Sequence, residues 1–282
     1  MKRKYQKKII TITFCILFLF QCGRDKNEKW EIEKLLLGSA YLNSSNCSAK
    51  LAKSQNNRVY QTSFEDINDF QNSYIVPQNY QNAATHGLSS SVKKTGTYSH
   101  AGTVYAKGPN CSYPANCNHR GYPTIQFYKM SQGSFRTPVT VELNVNLQNW
   151  NFQAGEWFSF ATFSADESDS WSRVVLINLS DTNFVHLMHV PNQGQGIWTY
   201  QNKNLGFTQN SWVKISACLD LGANGFAKVR QDDVLVSEAN VSGGCGTLEQ
   251  AHFGLYAPPS ISAGTVYNDD LIIKEVSSCS NF

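Results

Sequence analysis

The run Val139-Thr140-Val141-Glu142-Leu143-Asn144-Val145-Asn146-Leu147 decides the fold. Five apolar side chains alternate without a fault with four polar ones. That is the period of a strand with one face in a core and the other in water. Upstream, residues 122–128 repeat the pattern, with Ile125 and Phe127 opposite Tyr122, Thr124, Gln126 and Tyr128. Downstream, residues 157–163 are more uniformly apolar and read as a central strand. Residues 173–179 and 183–190 flank Ser180-Asp181-Thr182, a hairpin signal. Further strands are expected at 213–219, at 225–231 and 234–238 joined by Asp232-Asp233, at 252–257 and at 265–275. No helix-period segment of any length lies between Ser63 and Val276, and no internal repeat is evident. The expectation is an all-β antiparallel sandwich or barrel.

The N-terminus has another character. Lys2, Arg3, Lys4, Lys7 and Lys8 precede an apolar stretch from Ile9 to Phe20, and a charged run begins at Arg24. About twelve apolar residues are too few for a span, which needs roughly 20, so the segment reads as an export signal. Leu19-Phe20-Gln21-Cys22-Gly23 resembles a bacterial lipobox, in the looser form found in spirochaete lipoproteins. The resemblance implies a signal peptide over 1–21, lipidation of Cys22, and a membrane-anchored protein of the cell envelope, facing periplasm or cell surface. Residues 22–62 then read as a lipid-attached tether with a short helix near Trp30–Leu36, and 63–282 as the β domain.

Composition agrees with export. Charged residues make up 16% and aromatics 12% of the chain. The net charge of +3 falls to near −2 once the five basic residues up to Lys8 are set aside. The basic balance therefore gives no reason to expect nucleic acid as a partner. With Cys15 in the signal and Cys22 lipidated, six cysteines remain, an even number suited to disulfides in an oxidising space. The pairing Cys111–Cys117 would pinch a loop, Cys218–Cys245 would brace a meander, and Cys47–Cys279 would tie the tether to the last strand. No spacing matches a structural zinc motif.

The second half carries a recognisable order of signals: Trp212-Val-Lys-Ile-Ser, then Lys228-Val-Arg-Gln-Asp-Asp-Val-Leu-Val, then His252-Phe-Gly-Leu-Tyr256 and Thr265-Val-Tyr-Asn-Asp269-Asp270. It resembles the concanavalin A-like jelly rolls of legume lectins, laminin-G modules, family 16 glucanases and several polysaccharide lyases, nearest the LamG-like and lyase branches. The resemblance implies a two-sheet antiparallel jelly-roll sandwich with a carbohydrate groove on the concave sheet. Arg120, Tyr122, Gln126 and Tyr128, with Glu142, Asn144 and Asn146, are the expected polar lining. It also implies a structural Ca²⁺ between an acid near the first strand and one on the last, here Glu65 or Asp66 with Asp270.

Chemistry is weakly signalled. The Glu-x-Asp-x-x-Glu strand of family 16 hydrolases, whose carboxylates stand about 5–5.5 Å apart, is absent. A lyase of this fold would draw on Arg120, Gln126, Tyr128 and His186, although the family's Gln-x-His and Tyr-x-Lys-x-Tyr patterns are not intact. His186 and His189 point to opposite faces of their strand, so only one can reach a groove. Nucleotide loops, nucleophile elbows and HExxH are missing. The first expectation is a non-catalytic module binding glycan or host matrix. An acidic-polysaccharide lyase and a structural or adhesive envelope protein without a defined ligand are the alternatives.

Overall fold

The computed structural model describes residues 47–282 except 53, 55, 67–74, 79–82, 110–116, 167–170, 172, 192–196 and 242. The signal segment, Cys22, Cys111 and the expected helix near Trp30 lie outside the described residues. The strands are β1 (Val59–Thr62), β2 (Ile75–Gln78), β3 (Ala84–Ser89), β4 (Ser99–Val104), β5 (His119–Gln126), β6 (Phe135–Arg136), β7 (Val139–Gln148), β8 (Trp157–Ser164) and β9 (Val174–Ser180). They continue as β10 (Val185–Val190), β11 (Trp198–Tyr200), β12 (Trp212–Asp220), β13 (Phe226–Gln231), β14 (Val234–Asn240), β15 (Thr247–Leu248), β16 (Gln250–Ala257) and β17 (Gly264–Glu275). One sheet of eight strands runs β14-β13-β12-β7-β17-β4-β3, with β1 also paired to β17. A second sheet of seven runs β11-β10-β9-β8-β16-β5-β2, and all these pairings are antiparallel. This is the two-sheet sandwich expected.

Alternation places the core. Val139, Val141, Leu143, Val145 and Leu147 of β7 are all buried, while Glu142 on the other face is exposed. Against them the second sheet sets Phe158, Phe160, Phe163, Phe253 and Leu255, all fully enclosed. Fully burying one such side chain stabilises by about 1.5–3 kcal/mol relative to leaving it exposed, so one contiguous core carries the fold. The Asp232-Asp233 turn has both residues at positive φ, 46° and 65°. That geometry matches the twist of the strands it joins.

Three expectations need correction. β1 lies inside the stretch read as tether and pairs with β17 through Val59↔Lys274 to Thr62↔Leu271, so the sheet starts before Ser63. The strand read over 122–128 starts at His119 and ends at Gln126, and a 3-10 turn over Phe127–Lys129 takes Tyr128 off it. Cys218 bonds to Cys279, not to Cys245, and Cys279 therefore does not bond to Cys47. The reason is the path of the tail: beyond β17 it turns back across the β12–β13 pair, where Lys228 Nζ donates to the Cys279 carbonyl. That brings Cys279 Cα to 5.7 Å from Cys218 Cα, within disulfide reach. Cys47, Cys117 and Cys245 are disulfide-bonded as well.

Candidate functional site

A cleft of about 540 Å³ crosses the outer face of the seven-stranded sheet. β5 supplies Arg120 and Tyr122, while β16 supplies His252 and Tyr256. Trp157 and Thr162 come from β8, Val174 and Leu176 from β9, and Met188 and Val190 from β10. Asn118, Trp171 and Ile197 stand on its flanks.

Local backbone rules put these side chains outside. On β5, His119 points inward and bonds the Ile261 carbonyl through Nε2 at 2.9 Å, so its neighbours in period two, Arg120 and Tyr122, point outward. On β16, parity puts His252 and Tyr256 on that same face, with Gly254 between them. Gly254 has φ +136°, and a Cβ there would come within 2.5 Å of the Gly121 carbonyl and 2.7 Å of His100 Cε1. Register against β8 slips between Phe253 and Tyr256, and β8 slips against β9 between Ser159 and Ala161. Such bulges re-aim side chains, and here they lie beside Tyr256 and Trp157.

The rings form a connected group. Tyr122 stacks on His252 with centroids 3.8 Å apart and planes 12° from parallel. Tyr256 stands edge-on to both, at 6.3 and 6.1 Å. Trp157 lies 5.7 Å from Tyr256, and Trp171 lies 5.2 Å from His252. Asn118 Nδ2 donates to the Tyr256 hydroxyl at 2.8 Å, fixing where that oxygen points. Burial, with the nearby Arg120 charge as the lesser cause, pushes His252 down to about 3, so the imidazole is neutral near pH 7. Arg120 Nε is buried and has no hydrogen-bond partner. Among the described residues lining the cleft there is no Asp or Glu. A guanidinium lining a cleft with aromatic side chains suits an anionic ring compound.

The other residues singled out from sequence lie elsewhere. Gln126 is buried further along β5 opposite Gln250, whose Nε2 donates to the Asp166 carbonyl. Tyr128 sits on its turn with Lys129 Nζ 5.7 Å from its ring. Glu142, Asn144 and Asn146 are on β7 of the opposite sheet and cannot share a groove with β5. There Glu142 pairs with Lys214 at 3.7 Å, and Asn144 lies 3.5 Å from Asp270. His186 is buried on β10 beyond the cleft lining, its ionisation pushed down by burial. Arg120 and Tyr122 alone of the sequence candidates line the cleft. His252 and Tyr256 were legible as strand residues four apart, hence on one face, but their segment served only as a marker of the fold.

Glu65 and Asp270, two of the acids expected at a calcium site, are hydrogen-bonded to residues 95–98. Glu65 accepts the amides of Thr97 and Tyr98. Asp269 accepts those of Lys94 and Thr95, and Asp270 the Thr95 hydroxyl at 2.7 Å. Their oxygens hold residues 94–98 by taking N–H and O–H donors. Among the described residues no group of three or more His, Cys, Asp or Glu, Asp66 included, is placed to hold a metal.

The sequence matches no protein-family model and no curated protein. Solved structures do match. An endo-β-1,4-glucuronan lyase from the fungus Trichoderma reesei aligns over 78% of this chain and 95% of its own, with TM-score 0.53 and 16% identity. The cellulose-induced protein Cip1 aligns over 77% of this chain and 97% of its own, with TM-score 0.55 and 14% identity. At such identity the likeness establishes the fold, a concanavalin A-like jelly roll.

Proposed function

We propose that the cleft binds a chain of acidic sugars. One observation carries the reading: the cation Arg120 stands beside stacked aromatic rings in a groove whose described lining holds no acid. A uronate carboxylate would take the guanidinium donors, and its ring faces would lie on Trp157, Tyr256 or Trp171. The glucuronan lyase among the structural neighbours supports the choice of an acidic chain as first ligand to try. Calorimetric titration with β-1,4-glucuronate oligosaccharides, against neutral chains of equal length, tests it. Equal affinity for both would remove Arg120 from the account.

A second reading, β-elimination, is favoured by Tyr256: its hydroxyl is held by Asn118, its ring lies 6.1 Å from that of neutral His252, and it pairs with Arg120 across β16 and β5. With the C6 carboxylate neutralised by Arg120, a base of the cleft would take the C5 proton. The C4–O bond then breaks, a C4=C5 double bond forms, and the departing oxygen takes a proton from the acid. His252 and Tyr256 are the candidates for base and acid. Ultraviolet absorbance of the unsaturated uronate reads the reaction. No rise at high protein load on any polyuronate leaves the module a binder.

The same proposal holds the domain at the cell envelope through lipidated Cys22, after removal of residues 1–21. Support comes from the basic-then-apolar N-terminus and from disulfides that suit an exported protein. Mass spectrometry of the mature N-terminus tests it, since an unlipidated Cys22 is incompatible with the anchor.

A further inference from the structure

We infer that the protein has a second carbohydrate site, for a neutral sugar, around Trp198 at the opposite face of β11. A second open cavity of about 530 Å³ lies there, lined by His189, Trp198, Asn224 and Asn240 beside Ala223, Gly225 and Val241. Register sets Trp198 opposite His189 on the face turned away from the first cleft, which is instead reached by Ile197. The indole is half exposed, at 48%, yet oriented: its ring stands edge-on to the buried His189 ring at 5.3 Å. An exposed indole held in place is costly to leave in water and offers a flat face to the C–H side of a sugar.

The opposite wall supplies the polar half of such a site. Val241 N donates to the Gly225 carbonyl at 2.9 Å, and a Cβ on Gly225 would meet the Val241 carbonyl at 2.3 Å. This close approach brings the turn between β12 and β13 against the end of β14. Asn224 and Asn240 are thereby exposed at one cavity, each with an amide that can both donate to and accept from hydroxyls. No Asp, Glu, Lys or Arg is among the described lining residues, and burial keeps His189 in its neutral form. A cavity whose described lining holds an indole, two amides and no charge suits a neutral sugar, in contrast to the cationic cleft around Arg120.

Titration of the protein with cellohexaose, laminarihexaose and maltohexaose, by calorimetry and tryptophan fluorescence, tests the inference. At least one should bind saturably at millimolar concentration or below. W198A should weaken it about tenfold or more, and W198F should retain most of it. N224A, altering an exposed side chain off the strand, should also weaken it. R120A should leave this affinity unchanged while weakening that for glucuronate chains about a hundredfold, so the two sites fail separately. Absence of binding by all three hexasaccharides, binding indifferent to W198A and N224A, or neutral-sugar binding lost in R120A would overturn the second site.

Discussion

The outer faces of the two sheets are built by the same period-two rule and end up as opposite surfaces. On the eight-stranded sheet, Lys214 Nζ lies 3.7 Å from Glu142 and 3.2 Å from Asp233, and Asn144 leans toward Asp270. On the seven-stranded sheet, Arg120 lines a cleft with aromatic residues and with no acid among the described lining, and its Nε lacks a protein partner. A surface whose charges already answer one another has little left for a ligand. A groove whose described lining sets a cation among aromatic side chains, without an acid, has its binding capacity in reserve. Polar residue type along a strand therefore does not mark a site; whether neighbouring strands satisfy it does.

The contrast can be broken hardest at Gly254. G254A puts a Cβ against the Gly121 carbonyl and His100 at positive φ, directly beneath the cleft. It should cost about 3 kcal/mol or more in chemical denaturation and reduce glycan affinity with it. R120A comes next: it should weaken glucuronate binding about a hundredfold by calorimetry, near the 3 kcal/mol typical of a charge-assisted pair, with folding little changed.

Acid titration separates the regions by a smaller margin. Burial pushes His252 down to about 3 and His86 to about 4, and lowers the fully buried His100, with His86 as a lesser cause. Each is depressed below its unfolded value near 6.5. The stability they contribute is complete above pH 6.5 and is lost as pH falls toward 4, about 3 kcal/mol for a well-buried ring. Asp269, raised chiefly by burial, works in the opposite direction and softens the loss. Urea melts from pH 7 to pH 4 should show stability falling, and H252N should flatten the slope. The opposite face gives the smallest effect. E142Q, removing one partner of exposed Lys214, should change stability by less than about 0.5 kcal/mol and glucuronate affinity not at all, by the same two assays.

Much of the architecture was legible in the chain, and the reasons are specific. β7 alternates because it is a central strand with one face in the core, so it could be read residue by residue. The Asp232-Asp233 turn announced its hairpin. Strands β1 to β4 did not stand out: β4, for example, is Ser-His-Ala-Gly-Thr-Val, with His100 and Gly102 where apolar side chains would have marked a core face. The cleft was half legible. Arg120 and Tyr122 followed from the polar face of β5, but Glu142 and Asn144 were grouped with them because alternation tells inside from outside and not one sheet from the other. His252 and Tyr256 escaped because Gly254 interrupts the alternation that would have displayed them. The Cys218–Cys279 bond depends on where the tail beyond β17 returns, which spacing does not encode.

The claim on which the account rests is that the cleft with Arg120, and not the charged face of the other sheet, receives an acidic sugar. A crystal structure with a β-1,4-glucuronate tetrasaccharide tests this most directly. The account predicts a carboxylate hydrogen-bonded to the Arg120 guanidinium and a sugar ring against Trp157, Tyr256 or Trp171. A tetrasaccharide lying across Glu142 and Asn144, or one in the cleft with no carboxylate near Arg120, would contradict it.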